Sequence, residues 1–211
     1  SRVLMNRGDH WDVVLLPVEA QMAPSFSIHA GDLDGDGAED LFMSQNFSGT
    51  ASDLSRDDAG RGLCLRGSGR GSFTAIGTDF SGIRVLGEQR GAALADFNHD
   101  GRVDLAVSQN NGPTRLFVNQ GARPGIRVEL RGPAGNPDGI GSQLRLILPD
   151  GTRGPCRSIQ AGSGYGSQDA PAQILGFQQR PRALWVRWPG GREQTVDLAD
   201  PAVSVRVDFN E

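Results

Sequence analysis

The chain has 211 residues, a length that suits one or two domains with a real hydrophobic core. Its 30 glycines and 12 prolines disfavour long helices, because each interior glycine costs a helix roughly 1 kcal/mol relative to alanine. Short strands joined by glycine- and aspartate-rich turns fit this composition, so the sequence predicts an all-β protein. The net charge of −4 argues against nucleic-acid binding. No apolar run approaches the roughly 18 residues that a membrane-spanning helix needs.

An internal repeat with a spacing of 64 residues is the strongest feature of the sequence. Residues 31–41 match residues 95–105, and the match continues through Ser44-Gln45-Asn46 and Ser108-Gln109-Asn110. Related strand-like segments accompany these stretches, at residues 3–8, 63–67 and 116–121. The unit of about 60 residues has the size of a propeller blade. We therefore predict about two blades of an incomplete β-propeller.

The character of the sequence changes after residue 125. Apolar and polar residues alternate over residues 126–130, as in a half-buried strand, and Pro149-Asp150-Gly151-Thr152 predicts a turn. We place a domain boundary near Arg123-Pro124. Residues 1–124 then form the predicted blades, and residues 125–211 form a β-sandwich-like domain.

The two matching stretches each contain a nine-residue loop with oxygen-bearing side chains at positions 1, 3, 5 and 9. Calcium binds six to eight oxygen atoms, and glycine at position 6 lets the chain turn sharply while position 7 offers a backbone carbonyl. The predicted ligands are Asp32, Asp34, Asp36, Ala38 and Asp40 in the first loop, and Asp96, Asn98, Asp100, Arg102 and Asp104 in the second. We therefore predict two calcium ions, with the tighter site in the first loop, which has one more carboxylate.

An EF-hand shares the opening of these loops but requires a glutamate at position 12 and flanking helices. Position 12 is Met43 in one loop and Val107 in the other, each within a strand-like run. The sequence therefore predicts loops that join strands, with the aspartate at position 9 in place of the distal glutamate.

Few other residues indicate chemistry. The three histidines lack the spacing of a zinc site, and no Gly-x-Ser-x-Gly motif is present, so we predict that the chain is not an enzyme. Tyr165 and Trp185 are candidates for a ligand-binding surface that stacks against sugar rings. Cys64 and Cys156 either pair in an oxidising compartment or remain free thiols.

The aspartate-rich loops resemble FG-GAP/VCBS repeats, and the C-terminal part resembles the ASPIC/UnbV domain, which follows such repeats in the cartilage acidic protein family. The C-terminal resemblance is carried by residues 136–142, 162–168 and 188–191. It departs from the family at residues 173–177, where the family tends to have His-Phe-Gly-Leu-Gly. The resemblance implies a calcium-binding protein of the extracellular space or the periplasm, without a defined enzymatic activity.

These observations favour a non-catalytic interaction or scaffold module that recognises a protein or matrix partner. Two alternatives stay open at this point: a carbohydrate-binding, lectin-like module, and an accessory subunit or fragment of a larger enzyme complex. Closed propellers have about four to eight blades, and open sheet edges invite pairing with another chain. We therefore expect this chain to belong to a longer propeller or to have its edges covered by a partner.

Overall fold

A computed structural model describes residues 1–50, 53, 55–199 and 203–209. Strands make up 43% of the chain and helices 3%, which confirms the all-β prediction. The strands of the first part are β1 (Arg2–Asn6), β2 (Trp11–Leu15), β3 (Ser25–Gly31), β4 (Asp40–Gln45), β5 (Leu63–Gly67), β6 (Phe73–Ile76), β7 (Glu88–Ala95), β8 (Asp104–Asn110) and β9 (Gly112–Phe117). Those of the second part are β10 (Ile126–Arg131), β11 (Gln143–Ile147), β12 (Arg157–Ser158), β13 (Gln173–Leu175), β14 (Ala183–Arg187), β15 (Glu193–Asp197) and β16 (Ser204–Asp208).

The described helices are short. A 3-10 helix covers Val18–Ala20, and α1 covers Thr78–Ser81. Within the described residues, no helix has the length and apolar character required to cross a membrane.

The first nine strands form three antiparallel sheets: the hairpin β1-β2, the sheet β3-β4-β5-β6 and the sheet β7-β8-β9. The 64-residue repeat is also a structural repeat. Gly31 pairs with Asp40 in β3-β4, and Ala95 pairs with Asp104 at the equivalent point of β7-β8. Both β3 and β7 also contain an irregularity in their pairing near the start of the strand.

These three sheets pack against one another in chain order. Val3 of the hairpin packs on a buried cluster that includes Met43 and Leu65 of the four-stranded sheet. Another cluster joins Phe42 of that sheet to Val107 of the three-stranded sheet. The side chains of β4 therefore contribute to both interfaces, which explains why all six residues of this strand are buried.

The remaining strands form two further sheets, β13-β10-β16 and β12-β11-β14-β15. All neighbours are antiparallel except β10 and β16, which are parallel. One hydrophobic core contains residues of both sheets, including Val128, Leu144, Leu184 and Trp188. Residues after 125 therefore form two layers around a core of their own.

None of the sheets formed by the described residues closes on itself. The assignment of the first two larger sheets to propeller blades therefore stays a prediction, as does the domain boundary at residue 124. The structure does show how the two parts meet: the N–H of Gly125 donates to the carbonyl oxygen of Gly101 at 2.8 Å, and that of Arg123 donates to the carbonyl oxygen of Asp34 at 3.1 Å. Both acidic loops thus contact the segment that leads into β10.

Candidate metal centre

The first acidic loop joins β3 to β4 and folds around the carboxylate of Asp32. The Oδ1 atom of Asp32 accepts hydrogen bonds from the N–H groups of Gly35 and Asp36 at 2.8 and 3.0 Å. Its Oδ2 atom accepts one from Gly37 at 2.8 Å. Gly35 and Gly37 have φ angles of 77° and 89°, which glycine adopts without the strain that a Cβ would cause. The glycines therefore allow the backbone to wrap around the first carboxylate.

Asp40, at the last position of the loop, connects the loop to the sheet. Its Oδ2 atom accepts a hydrogen bond from the N–H of Leu33 at 2.9 Å, and its Oδ1 atom accepts one from Gly67 of β5 at 2.8 Å. The side chain is buried, and this burial raises the pKa of Asp40 from 3.8 to about 6. A positive partner would therefore stabilise the ionised carboxylate that Asp40 carries at pH 7.

Asp32, Asp34 and Asp40 each place one carboxylate oxygen within 4.8 Å of the other two. Oxygen atoms that bind one calcium ion at about 2.3–2.6 Å lie at most about 5.2 Å apart, so this group has the size of a calcium site. Burial also raises the pKa of Asp32. Asp36 is not in this group, and its Oδ1 atom accepts a hydrogen bond from the N–H of Ala38 at 2.7 Å.

The second loop joins β7 to β8 and repeats the hydrogen bonds of the first. The Oδ1 atom of Asp96 accepts a hydrogen bond from the N–H of Asp100 at 2.9 Å. Asp104 accepts one from Phe97 at 2.8 Å and one from Asn119 at 2.7 Å, so it connects its loop to the segment after β9, as Asp40 connects its own loop to β5. The two loops therefore have equivalent backbone arrangements around positions 1 and 9.

The charged groups that contact the carboxylates of the second loop differ from those of the first loop. The amide of Asn98 donates to Oδ2 of Asp100 at 3.0 Å, and Nη1 of Arg102 lies 3.1 Å from the same oxygen. Nη1 of Arg127, from β10, lies 3.4 Å from Oδ2 of Asp96. Among the residues that the structure describes, the second loop does not bring three acidic side chains within the distance found in the first.

Position 7 has the same backbone role in both loops. The N–H of Arg102 donates to Oδ1 of Asp100 at 3.0 Å, as that of Ala38 donates to Asp36. The side chain of Arg102 also donates from Nε to the carbonyl oxygen of Ala122 at 2.7 Å. Calcium binding by the carbonyl oxygens of Ala38 and Arg102 stays a prediction.

Two features of the first loop depend on contacts that the sequence did not reveal. Gly176, which follows β13, lies so close to the loop that a Cβ there would be 1.9 Å from Oδ2 of Asp32. Glu39 forms an ion pair with Arg157, with Nε 2.6 Å from Oε1, while Oε2 of Glu39 is buried without a hydrogen-bond partner. The sequence contained one signal for the second feature, because the repeat has the buried Val103 where the first loop has Glu39.

A chain of hydrogen bonds joins Ser27, His29 and Asp169. Nε2 of His29 lies 3.1 Å from Oγ of Ser27, and its Nδ1 lies 2.8 Å from Oδ1 of Asp169. This order of groups occurs in serine hydrolases. Here Ser27 is only 3% exposed, and a Cβ on Gly164 would lie 2.7 Å from both Ser27 and His29. Asp169 also accepts a hydrogen bond from the N–H of Leu94 at 2.7 Å, so these groups hold the segment around Asp169 against two sheets.

The two candidate ligand-binding aromatic residues have different surroundings. Tyr165 is 55% exposed and packs edge-to-face on Phe26, with the ring centroids 5.9 Å apart. Trp185 is 6% exposed, its Nε1 donates to Glu193 at 2.9 Å, and the guanidinium of Arg153 lies 4.7 Å from its ring centroid. A sugar ring would have to displace Arg153 to stack on that face, and sugar binding stays a prediction.

Cys64 and Cys156 are both free thiols. Cys64 is buried in the cluster between the two repeat sheets, and burial raises the pKa of its thiol to about 12. It therefore stays protonated and behaves as a small apolar side chain.

Comparison with known proteins finds one matching family and several similar proteins. Residues 132–210 match the family described as ASPIC and UnbV. The chain is 33% identical to Cartilage acidic protein 1 of Xenopus tropicalis over 113 residues, which are 53% of this chain and 17% of that protein. It is 35% identical to Cartilage acidic protein 1 of Mus musculus over 82 residues, 38% of this chain and 13% of that protein. The chain thus spans less than a fifth of the length of these curated relatives.

These similarities support the expected resemblance of the C-terminal part to the ASPIC/UnbV domain. The resemblance of the two acidic loops to FG-GAP/VCBS repeats stays a prediction, carried by the sequence and by the equivalent hydrogen bonds of the two loops.

Proposed function

We propose that this chain is a calcium-binding, non-catalytic module that acts outside the cytoplasm and binds a protein or matrix partner. The observation that carries the proposal is the group formed by Asp32, Asp34 and Asp40. Three like charges so close together repel one another, and a cation bound among them would remove that repulsion. Their donors are all carboxylate oxygens, which suit a hard cation, and calcium tolerates irregular geometry better than magnesium does.

The proposal includes a second ion in the second loop, held by Asp96, Asn98, Asp100 and Asp104. Its support is the hydrogen bonding that the two loops share at positions 1, 5 and 9. Both loops begin and end on strands of the repeat sheets, and both contact the segment that leads into β10. Bound calcium would therefore stabilise the contacts between the sheets and the C-terminal part.

The non-catalytic part of the proposal rests on the surroundings of the reactive side chains. The Ser27 hydroxyl and the Cys64 thiol are buried. Asp32 and Asp40 carry hydrogen bonds that hold the loop in place. These side chains therefore stabilise the fold, which favours a binding module over an enzyme.

A protein partner is favoured by one face of the hairpin β1-β2. Leu4, Trp11, Val13 and Leu15 are 59–66% exposed there, which makes a continuous apolar strip. Exposed apolar patches of this kind mark interaction sites. The similarity to Cartilage acidic protein 1 supports an extracellular setting and a matrix partner. Calcium sites of extracellular modules are also commonly of low affinity, at about 10⁻⁴–10⁻³ M, which suits partly neutralised loops.

Calcium titration by calorimetry in chelator-treated buffer tests the proposal, with equilibrium dialysis as an independent count of bound ions. We expect uptake of calcium that Asp32→Asn reduces. Asp138→Asn is the matched control, because Asp138 is exposed and lies outside both loops. A protein that binds no calcium by either method would contradict the proposal.

A further inference from the structure

The two acidic loops differ in what balances their negative charge. In the first loop, the guanidinium of Arg66 lies 2.7 Å from Asp34, and its side chain is 57% exposed. Such exposed ion pairs contribute little, because water and salt screen them. In the second loop, Asp96 has a side chain that is fully buried, and it is paired with Arg127, which is 17% exposed. The first carboxylate of the second loop therefore has a mostly buried arginine partner of its own, whereas Arg157 beside the first loop pairs with Glu39 and not with Asp32.

Arg127 is held in place by the C-terminal sheet. Its Nε and Nη2 atoms donate to Oε1 of Glu129 at 3.1 and 3.0 Å, and Oε2 of Glu129 accepts a hydrogen bond from Arg206 at 3.1 Å. The guanidinium thus lies between Glu129 and the first carboxylate of the loop. A side chain already held by Glu129 loses little further freedom when it pairs with Asp96.

The first loop meets the same sheet through a different group. Arg127 and Ile174 are paired residues of neighbouring strands β10 and β13. Two residues beyond Ile174, the backbone of Gly176 lies against Asp32. The sheet therefore presents an uncharged backbone to the first carboxylate of one loop and a guanidinium to the first carboxylate of the other.

We infer that Arg127 is a built-in counter-ion of the second loop, which keeps its shape without metal and binds calcium more weakly than the first loop does. The inference rests on the proposed function. A calcium ion in the second loop shares Asp96 with a guanidinium, and Asp100 with the side chain of Arg102. Beside the first loop, the mostly buried Arg157 pairs with Glu39. Among the ion pairs of the described residues none joins an arginine to Asp32 or Asp40, so these two carboxylates gain more from a metal ion.

Calcium titration of the wild-type chain and of Arg127→Gln tests this role. We expect the wild type to bind one ion in the first loop and a second at least about ten-fold more weakly, because the positive charge of Arg127 opposes that of the ion. In Arg127→Gln the second affinity should rise by about ten-fold or more. Arg131→Gln is the matched control, since Arg131 is an exposed arginine of the same strand. Its two affinities should equal those of the wild type.

Hydrogen exchange of the wild-type chain gives a second readout that needs no variant. On chelation, amide protection should fall over residues 32–40 and stay over residues 96–104. Two wild-type sites of equal affinity, equal loss of protection in both loops, or an unchanged second site in Arg127→Gln would each overturn the role of Arg127. A wild-type chain without any calcium uptake would instead refute the proposed function itself.

Discussion

Replacing Asp40 by asparagine separates the two roles of this residue in the structure. The carboxylate accepts one hydrogen bond on each oxygen, from Leu33 and from Gly67. An asparagine side chain keeps one acceptor oxygen and places an NH₂ group against the other backbone N–H. The substitution therefore removes a hydrogen bond and the charged oxygen that we propose binds calcium, but it also removes a buried negative charge.

When calcium is absent, the loss of the hydrogen bond and the removal of the buried charge have opposite effects on stability. A buried donor left without its acceptor costs about 1–3 kcal/mol. The rise in the pKa of Asp40 from 3.8 to about 6 means that its ionised form destabilises the folded state. At 1.36 kcal/mol per pKa unit this amounts to about 3 kcal/mol at pH 7, which the substitution recovers. The side chain is 1% exposed, so little of this effect is screened by water. We therefore expect Asp40→Asn to change the stability of the chelated protein by no more than about 2 kcal/mol.

With calcium present, we expect the wild type to gain stability that Asp40→Asn does not gain. A calcium ion that binds only the folded state would stabilise the wild type by about 2.7 kcal/mol at a hundred-fold excess over its Kd. For a chain of this size that corresponds to a rise in Tm of about 5–10 °C. Asp40→Asn should lose most of this rise because the asparagine brings no charge to the group with Asp32 and Asp34.

Thermal melts of the wild type, Asp40→Asn and the exposed control Asp138→Asn, each in chelator and in excess calcium, measure both quantities. The decisive value for each protein is the difference between its Tm in excess calcium and its Tm in chelator. A variant that keeps the full calcium-induced rise would show that Asp40 does not bind the ion. A chelated variant that melts more than about 10 °C below the chelated wild type would refute the charge argument.

Two further predictions concern pH and packing. In chelator, the folded state holds a proton on Asp40 between about pH 4 and 6 that the unfolded state has released, so stability should fall as pH rises through this range. Calcium affinity should rise over the same range, because the ion requires the ionised carboxylate. Melts and titrations at pH 4.5, 6 and 7.5 check both signs, and a chelated Tm that rises from pH 4.5 to 6 would contradict the predicted loss of stability. Gly176→Ala should lower stability by about 1–3 kcal/mol and weaken calcium binding, because its Cβ would overlap Asp32. Gly121→Ala is its control, as no atom lies within 4 Å of an added Cβ there, and equal melts for the two variants would contradict the close packing of Gly176 on the loop.

The sequence was sufficient for features that are local. The loop positions, the strands at their ends and the structural equivalence of the repeats all depend on residues within a few positions of one another. The alternation of β14 was also predictable: Leu184 and Val186 enter the main C-terminal core, while Trp185 lies in a separate cluster with Ile147. The sequence could not show that Arg153 covers Trp185, because that contact depends on how the chain returns after β11.

Two long-range contacts, one at the second loop and one outside both loops, were beyond prediction for the same reason. Arg127 is 31 residues from Asp96, and Asp169 is 140 residues from His29. Neither pair belongs to a motif, and arginine or aspartate on a strand usually faces solvent. Only the packing of the C-terminal part on the first nine strands and their loops brings these groups together.

Because the proposed ligands lie at the ends of strands, a calcium ion in the first loop would also affect contacts outside that loop. Asp40 is the first residue of β4 and also accepts a hydrogen bond from β5, so one carboxylate fixes the relation of two strands. Asp32 follows β3 and touches Gly176 at the end of β13. An ion shared by these two carboxylates would therefore connect three strands of one sheet to the C-terminal part. Calcium loss from the first loop should then loosen the junction between the two parts before it unfolds either core, since each core has its own buried cluster.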